Sequence, residues 1–434
     1  MPHSWAGNLP ISGNKDERRE LYFWLWEPAG EIGHDDVVIW LNGGPGCSSL
    51  EGLFQENGPF KIPMGQNTKP ELNPYSWTNL SYVVWIENPV GEGFTKGTPD
   101  IKGEKDLARE FYGFLQQFYS TFSELKGKRL WITGESYAGK YIPYIANEIY
   151  DHPKNASGIN LQGIAINDPS FTTDFLGEEA PAFEFFEKYH SVMGVNASSL
   201  ERVRAKAKKL GVESYVADNL HYPPKGQIEV PSSWNNSDSI WEPINDIATK
   251  ANKCFSVYEI KPNCDYNYDA LGMPLNTQEA DKHNFINDTP GLKKAIHADT
   301  SKTWTECTDT NVFKAAKGKR DYSPAPDRSV LPGVIEKNKR TVIQHGTYDY
   351  VLIANGSALA IQNMTWNGQM GFQNKPSTPL KFNGRTRGVM GEERGLTFVL
   401  VDGSGHMIPQ FKPKTAYKLQ QYLLGQASKS DMNQ

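Results

Sequence analysis

The sequence contains no run of about 18 consecutive apolar residues, the length a membrane-spanning helix needs, so no membrane segment is expected. It has no internal repeat and no low-complexity tract, which argues against solenoid and disordered architectures. Neither sign of charge dominates: 45 Lys and Arg against 50 Asp and Glu leave a formal net charge of -5. The densest basic cluster, Lys314 to Arg320, is local rather than a stripe, so no nucleic-acid partner is expected. Cysteine is sparse. The four present, Cys47, Cys254, Cys264 and Cys307, include no C-x-x-C pair, which disfavours a zinc or redox centre and leaves two disulfides as the simplest use. No metal and no cofactor is implied. The N-terminus also lacks the charged-then-apolar pattern of a secretory leader.

What is present points to a large globular protein, since 434 residues can bury an extensive core. Asn-x-Ser/Thr sequons begin at Asn79, Asn155, Asn196, Asn235, Asn287, Asn355 and Asn363. With the even cysteine count they favour the secretory pathway, with a secreted or a vacuolar or lysosomal destination, over a cytosolic protein with free thiols and idle sequons.

The first third alternates short apolar runs with helical periodicity. Val37 to Leu41, Tyr82 to Ile86, Leu130 to Thr133 and Leu161 to Ile166 read as buried strands, with helical spacing at Leu107–Phe122 and Tyr141–Tyr150 between them. After Pro169 roughly 120 residues break this alternation, longer than any ordinary loop, and read as an inserted lid. Alternation resumes with strands at Thr341 to Gln344 and Leu396 to Val401, and helices at Leu352 to Gln362 and Thr415 to Leu424. Lys314 to Pro332, basic and proline-rich, reads as an exposed loop. The expectation is an α/β fold with a mostly parallel sheet, split into core residues 1–170, a lid at 171–290 and core residues 291–434.

Gly134-Glu135-Ser136-Tyr137-Ala138-Gly139 lies between a strand and a helix, the setting of a nucleophile elbow, although Ala138 replaces the second glycine of G-x-S-x-G. Alone, Ser136 is equally a helix cap. His406 follows the last predicted strand on the loop Asp402-Gly403-Ser404-Gly405, and Asp349 follows the strand ending at Gln344. The chain order Ser, Asp, His is that of α/β-hydrolases, which makes Ser136 the candidate nucleophile, His406 the general base and Asp349 its orienting acid. His345 is the competing histidine, but it precedes the acid and abuts its strand, and reads as structural. A tetrahedral oxyanion needs donors, and the Gly44 and Tyr137 N–H groups are the candidates. A phosphate loop is the alternative reading of the glycines, disfavoured because no Gly-Lys-Ser/Thr follows and Pro45 lacks an N–H.

Trp40-Leu41-Asn42-Gly43-Gly44-Pro45-Gly46-Cys47-Ser48-Ser49, Gly134 to Gly139, and Gly405-His406-Met407-x-Pro409 together resemble the signatures of the serine carboxypeptidase family, of the carboxypeptidase Y type, over nearly the whole chain. The resemblance implies an α/β-hydrolase core with a lid, acting on peptide and protein C-termini through an acyl-enzyme. It also implies recognition of the substrate's terminal carboxylate by Asn42, Gly43, Glu56 and Glu135, Met407 in the leaving-residue pocket, and disulfides Cys47–Cys307 and Cys254–Cys264. Thr347 stands where many relatives carry another aspartate. Crowded carboxyl groups cannot all ionise cheaply, so peptide binding is expected to favour acid pH. An acyltransferase, a hydroxynitrile lyase or a catalytically silent binding protein could share the scaffold. The complete triad and Glu135 before the serine favour the peptidase. The preferred terminal residue, and whether the chain is a monomer or a homodimer, are not legible in the sequence.

Overall fold

The apolar runs assemble into one ten-stranded sheet in the computed structural model, which describes residues 2–63, 69–152, 158–261, 270–272, 284–314 and 321–433. In chain order the strands are β1 (Ser4–Pro10), β2 (Glu20–Trp26), β3 (Asp36–Leu41), β4 (Tyr82–Glu87), β5 (Arg129–Glu135), β6 (Asn160–Asn167), β7 (Arg340–Gly346), β8 (Thr378–Phe382), β9 (Arg385–Glu393) and β10 (Leu396–Val401). Across the sheet the order is β1-β2-β4-β3-β5-β6-β7-β10-β9-β8. The strands from β4 to β10 in that order are mutually parallel. Antiparallel strands close both edges.

The central strands are apolar throughout because both faces of the sheet are covered. Val37, Val38, Ile39, Trp40 and Leu41 of β3 are all buried. Helix α1 (Glu104–Thr121) turns Leu107, Phe111, Leu115 and Phe118 onto one face, beside Ile142 and Ile145 of α2 (Ala138–Asp151). On the other face Trp40, Trp85 and Trp131 share a core with Leu419 and Leu423 of α3 (Pro413–Leu424). No helix among the described residues is long and apolar enough to cross a membrane.

The described residues between β6 and β7 contribute no strand to the sheet. Helices Ala180–Tyr189, Ala197–Leu210, Tyr215–Asn219 and Trp241–Ala251 share a separate core, into which Tyr350 and Ile353 reach from just beyond β7. Trp241 stacks on Tyr350 at 5.2 Å and donates its indole N–H to the Tyr350 carbonyl. The stretch from Lys314 to Pro332 is not simply an exposed loop. Pro326 and Asp327 are buried, because the Asp327 carboxylate accepts the Thr172 hydroxyl (2.7 Å) and its N–H donates to the Phe171 carbonyl (3.0 Å). Residues 315–320 of that stretch lie outside the described residues.

Candidate active site

β5 passes into α2 through Ser136, whose backbone sits at φ 59, a left-handed conformation that costs a non-glycine residue about 1–3 kcal/mol and persists only where its surroundings enforce it. Here they do. The Ser136 N–H donates to the Asn167 carbonyl at the end of β6 (3.0 Å), and its carbonyl accepts from the Gly139 and Ser170 N–H groups (2.8 and 2.9 Å). A Cβ on Gly139 would stand 2.7 Å from the Ser170 nitrogen, so this turn needs its second glycine at residue 139, while the Ala138 methyl is accommodated in the core. Ser136 itself is half-buried.

The sheet order brings the ends of β7 and β10 beside β6, and with them Asp349 and His406. His406 Nδ1 lies 2.7 Å from Asp349 Oδ2. A carboxylate only accepts, so Nδ1 carries the proton and Nε2 keeps its lone pair. Nε2 is buried and has no hydrogen-bond partner among the described residues. The His406 N–H is tied to the Tyr258 carbonyl (2.7 Å), and the Tyr258 ring stands 5.4 Å from the imidazole. Asp349 is fully buried, and its other oxygen accepts the Leu352 N–H (3.1 Å). Burial works to raise its pKa, but the His406 imidazole, whenever it is protonated, and hydrogen bonds from His345 and His406 hold it below the ordinary aspartate value. His345 contacts Ser357 Oγ through Nδ1 (2.9 Å) and the Leu352 carbonyl through Nε2 (2.8 Å), which leaves neither nitrogen for substrate. Thr347 serves the same corner, its hydroxyl accepting the Gly403 N–H (2.9 Å).

The glycine loop after β3 packs directly on the elbow. A Cβ on Gly43 would fall 2.4 Å from the Tyr137 nitrogen and 2.7 Å from Ser136 Cβ, so only glycine allows this approach. Neither the Gly44 nor the Tyr137 N–H donates to another described residue. The loop is pinned from outside by the disulfide Cys47–Cys307 and by Ser48 N–H donating to the Glu306 carbonyl (2.7 Å). Cys254 is disulfide-bonded as well, while Cys264 lies outside the described residues.

Beside the elbow lies a group of buried carboxyls. Asn42 Oδ1 accepts from Trp40 Nε1 (2.7 Å) and Gly52 N (3.2 Å), which fixes the amide so that Nδ2 faces Glu135 Oε1 (3.0 Å), Glu51 Oε2 (3.2 Å) and Glu56 Oε1 (3.5 Å). Glu56 Oε2 and Glu135 Oε2 are buried and meet no partner among the described residues. Burial pushes Glu56 up to about 8, against hydrogen bonds from Glu135 and Asn42. Burial and then the Glu56 charge also hold Glu135 well above the ordinary glutamate value. Burial thus favours the uncharged form of both carboxyls.

Met407 is half-buried immediately after His406. Sequence reasoning missed three residues of the site. Glu51 joins the carboxyl cluster from two residues past the Cys-Ser-Ser motif, Tyr258 comes from the segment between β6 and β7, and atoms of Asp168, Asp349 and His406 lie within 4.8 Å of one another. Only Asp168 left a signal, being an acid at the C-terminal end of a predicted central strand. Among the described residues two groups bring acid and imidazole atoms within 4.8 Å of one another, Asp168 with Asp349 and His406, and Glu51 with Glu56 and Glu135.

The parallel sheet order and the strained strand–turn–helix that carries Ser136 define an α/β-hydrolase. A profile of the serine carboxypeptidase family matches residues 3–426, and the chain belongs to that family as a serine-type carboxypeptidase. It is 41% identical to a probable serine carboxypeptidase of Arthroderma benhamiae and 38% identical to serine-type carboxypeptidase F of Aspergillus niger, in each case across 97% of this chain and 83% of the relative. Its fold is similar to the crystal structure of Kex1Δp, a prohormone-processing carboxypeptidase of Saccharomyces cerevisiae, with a TM-score of 0.71 at 22% identity over 99% of this chain and 92% of that one.

Proposed function

We propose that the chain releases single residues from peptide and protein C-termini with Ser136 as nucleophile, His406 as general base and Asp349 as orienting acid. Ser136 Oγ attacks the last peptide carbonyl while its proton passes to His406 Nε2. The oxyanion is taken by the Gly44 and Tyr137 N–H groups, which have no other described partner. Collapse transfers the His406 proton to the departing amine and leaves an acyl-enzyme, which water then hydrolyses by the same proton route.

One observation carries the exopeptidase reading: the buried carboxyls of Glu56 and Glu135, gathered on the Asn42 amide, stand beside Ser136. They supply donors for a free terminal carboxylate, with the Gly43 backbone beside it. Met407 lines the leaving-residue pocket, and the segment 171–290 acts as a lid over the cleft. Because the pair must hold its protons, peptide hydrolysis is favoured at acid pH. The Cys47–Cys307 bond and the exposed sequon residues Asn196 and Asn235 support a secretory-pathway location. Asn287 is the poorest glycosylation candidate, since its amide is bonded at both ends to the Trp304 backbone.

The test is an N-blocked dipeptide against the same dipeptide amidated at its C-terminus. Amidation removes a charged hydrogen-bonded group, so kcat/KM falls about 10- to 100-fold or more. Equal rates for the two substrates would refute terminal-carboxylate recognition.

A further inference from the structure

Asp168 sits one residue beyond β6 in the left-handed region, φ 44, with its side chain fully buried. Its Oδ1 accepts the Gly346 N–H at the end of β7 (2.7 Å), while Oδ2 has no hydrogen-bond partner among the described residues. Oxygens of Asp168 and Asp349 and a ring nitrogen of His406 all lie within 4.8 Å of one another. His345 Nε2 stands 3.5 Å from an oxygen of each aspartate. Its ring nitrogens are also engaged elsewhere, Nε2 with the Leu352 carbonyl (2.8 Å) and Nδ1 with the Ser357 hydroxyl (2.9 Å).

Asp168 and Asp349 are thus two buried carboxyls packed together beside the His406 ring. Two negative charges at this range in a dry site are costly, and such a pair keeps a proton between them. That proton resides on Asp168: burial and then the Asp349 charge hold its pKa far above the ordinary aspartate value, whereas Asp349 is held low. Glu56, once ionised, pushes Asp168 in the same direction from the neighbouring carboxyl group. Glu178 and Asp174 line a small cavity with His345, and burial followed by the Asp174 charge pushes Glu178 up to about 8.

We propose that Asp168 is a positioning residue of the triad, its carboxylic O–H donating to the Asp349 carboxylate and holding that carboxylate against His406. It touches no substrate and acts through Asp349, so the proposal rests on Asp349 being the triad acid. Asp168 then fixes the geometry of the acid and also limits the negative charge beside the imidazole to one.

The experiment measures kcat from pH 5 to 10 on an N-acyl amino-acid p-nitrophenyl ester, a substrate with no terminal carboxylate, for the wild type, Asp168→Asn and Asp168→Ala. Phosphonate labelling counts the folded sites of each. Asparagine supplies an N–H in place of the O–H and cannot ionise, so Asp168→Asn keeps kcat within about threefold and its alkaline decline moves to higher pH or disappears. Asp168→Ala loses the donor, and kcat per labelled site falls about 10- to 100-fold with KM little changed. Equal losses in the two variants, an unaltered kcat in Asp168→Ala, or an unshifted alkaline decline in Asp168→Asn overturns the proposal. Failure of the underlying triad assignment shows separately, as full kcat in Asp349→Asn.

Discussion

On the proposed role of the Glu56–Glu135 pair, peptide binding should weaken when the pair loses a proton. Burial holds Glu56 at about 8, and burial with the Glu56 charge holds Glu135 well above the ordinary glutamate value. The sign follows directly: at pH 5 to 6 both are uncharged and both can donate to a substrate carboxylate, whereas above about 8 the first ionised glutamate faces that carboxylate as a like charge. Binding the anion then requires uptake of a proton, so KM rises by up to about tenfold per pH unit beyond the transition. The limit is the loss of a charge-assisted hydrogen bond, about 1.5–3 kcal/mol, which is about 10- to 100-fold in KM. Steady-state kinetics on an N-blocked dipeptide should show KM flat from pH 5 to near neutrality, then climbing around pH 8. The double variant Glu56→Gln with Glu135→Gln keeps amide donors that do not titrate, so its KM stays level across the range. A wild-type KM unchanged from pH 5 to 9, or an equal rise for an ester without a terminal carboxylate, refutes the proton-holding pair.

Gly43→Ala places a methyl 2.4 Å from the Tyr137 nitrogen and displaces a candidate oxyanion donor, so kcat should fall about 10²- to 10³-fold; a change below about threefold would argue against that role. Replacing Cys47 and Cys307 together by serine opens a closure across 260 residues and should cost about 2–5 kcal/mol, read as a lower Tm by calorimetry, with an unchanged Tm contradicting it.

The parallel core was legible because its strands are continuous apolar runs with helical patterns between them, and every expected central strand lies within a few residues of its observed bounds. The edge hairpins were not. Gly7, Asn8 and Pro10 interrupt β1, and β9 carries Arg385, Arg387 and two glycines, so neither strand alternates; each is held by pairing with a neighbour rather than by its own pattern. Within the site, Ser136, Asp349 and His406 were marked by glycine loops after strands, and Glu56 and Glu135 by family resemblance. Asp168 carries only the mark of an acid just past a predicted central strand, and Glu51 carries no local mark. Their proximity to Asp349 and to Asn42 arises from sheet order and from the turn at 52–56, which no window of sequence contains.

The most direct measurement incubates the wild type and Ser136→Ala with an N-blocked dipeptide at pH 5, quantifies the free amino acid released, and maps the adduct formed with a serine-directed phosphonate by mass spectrometry. The wild type should release the terminal residue and carry the adduct on Ser136, while the variant should be slower by about 10⁴-fold or more and remain unlabelled. Release by Ser136→Ala at a comparable rate, or a wild-type adduct on a different serine, would contradict the assignment.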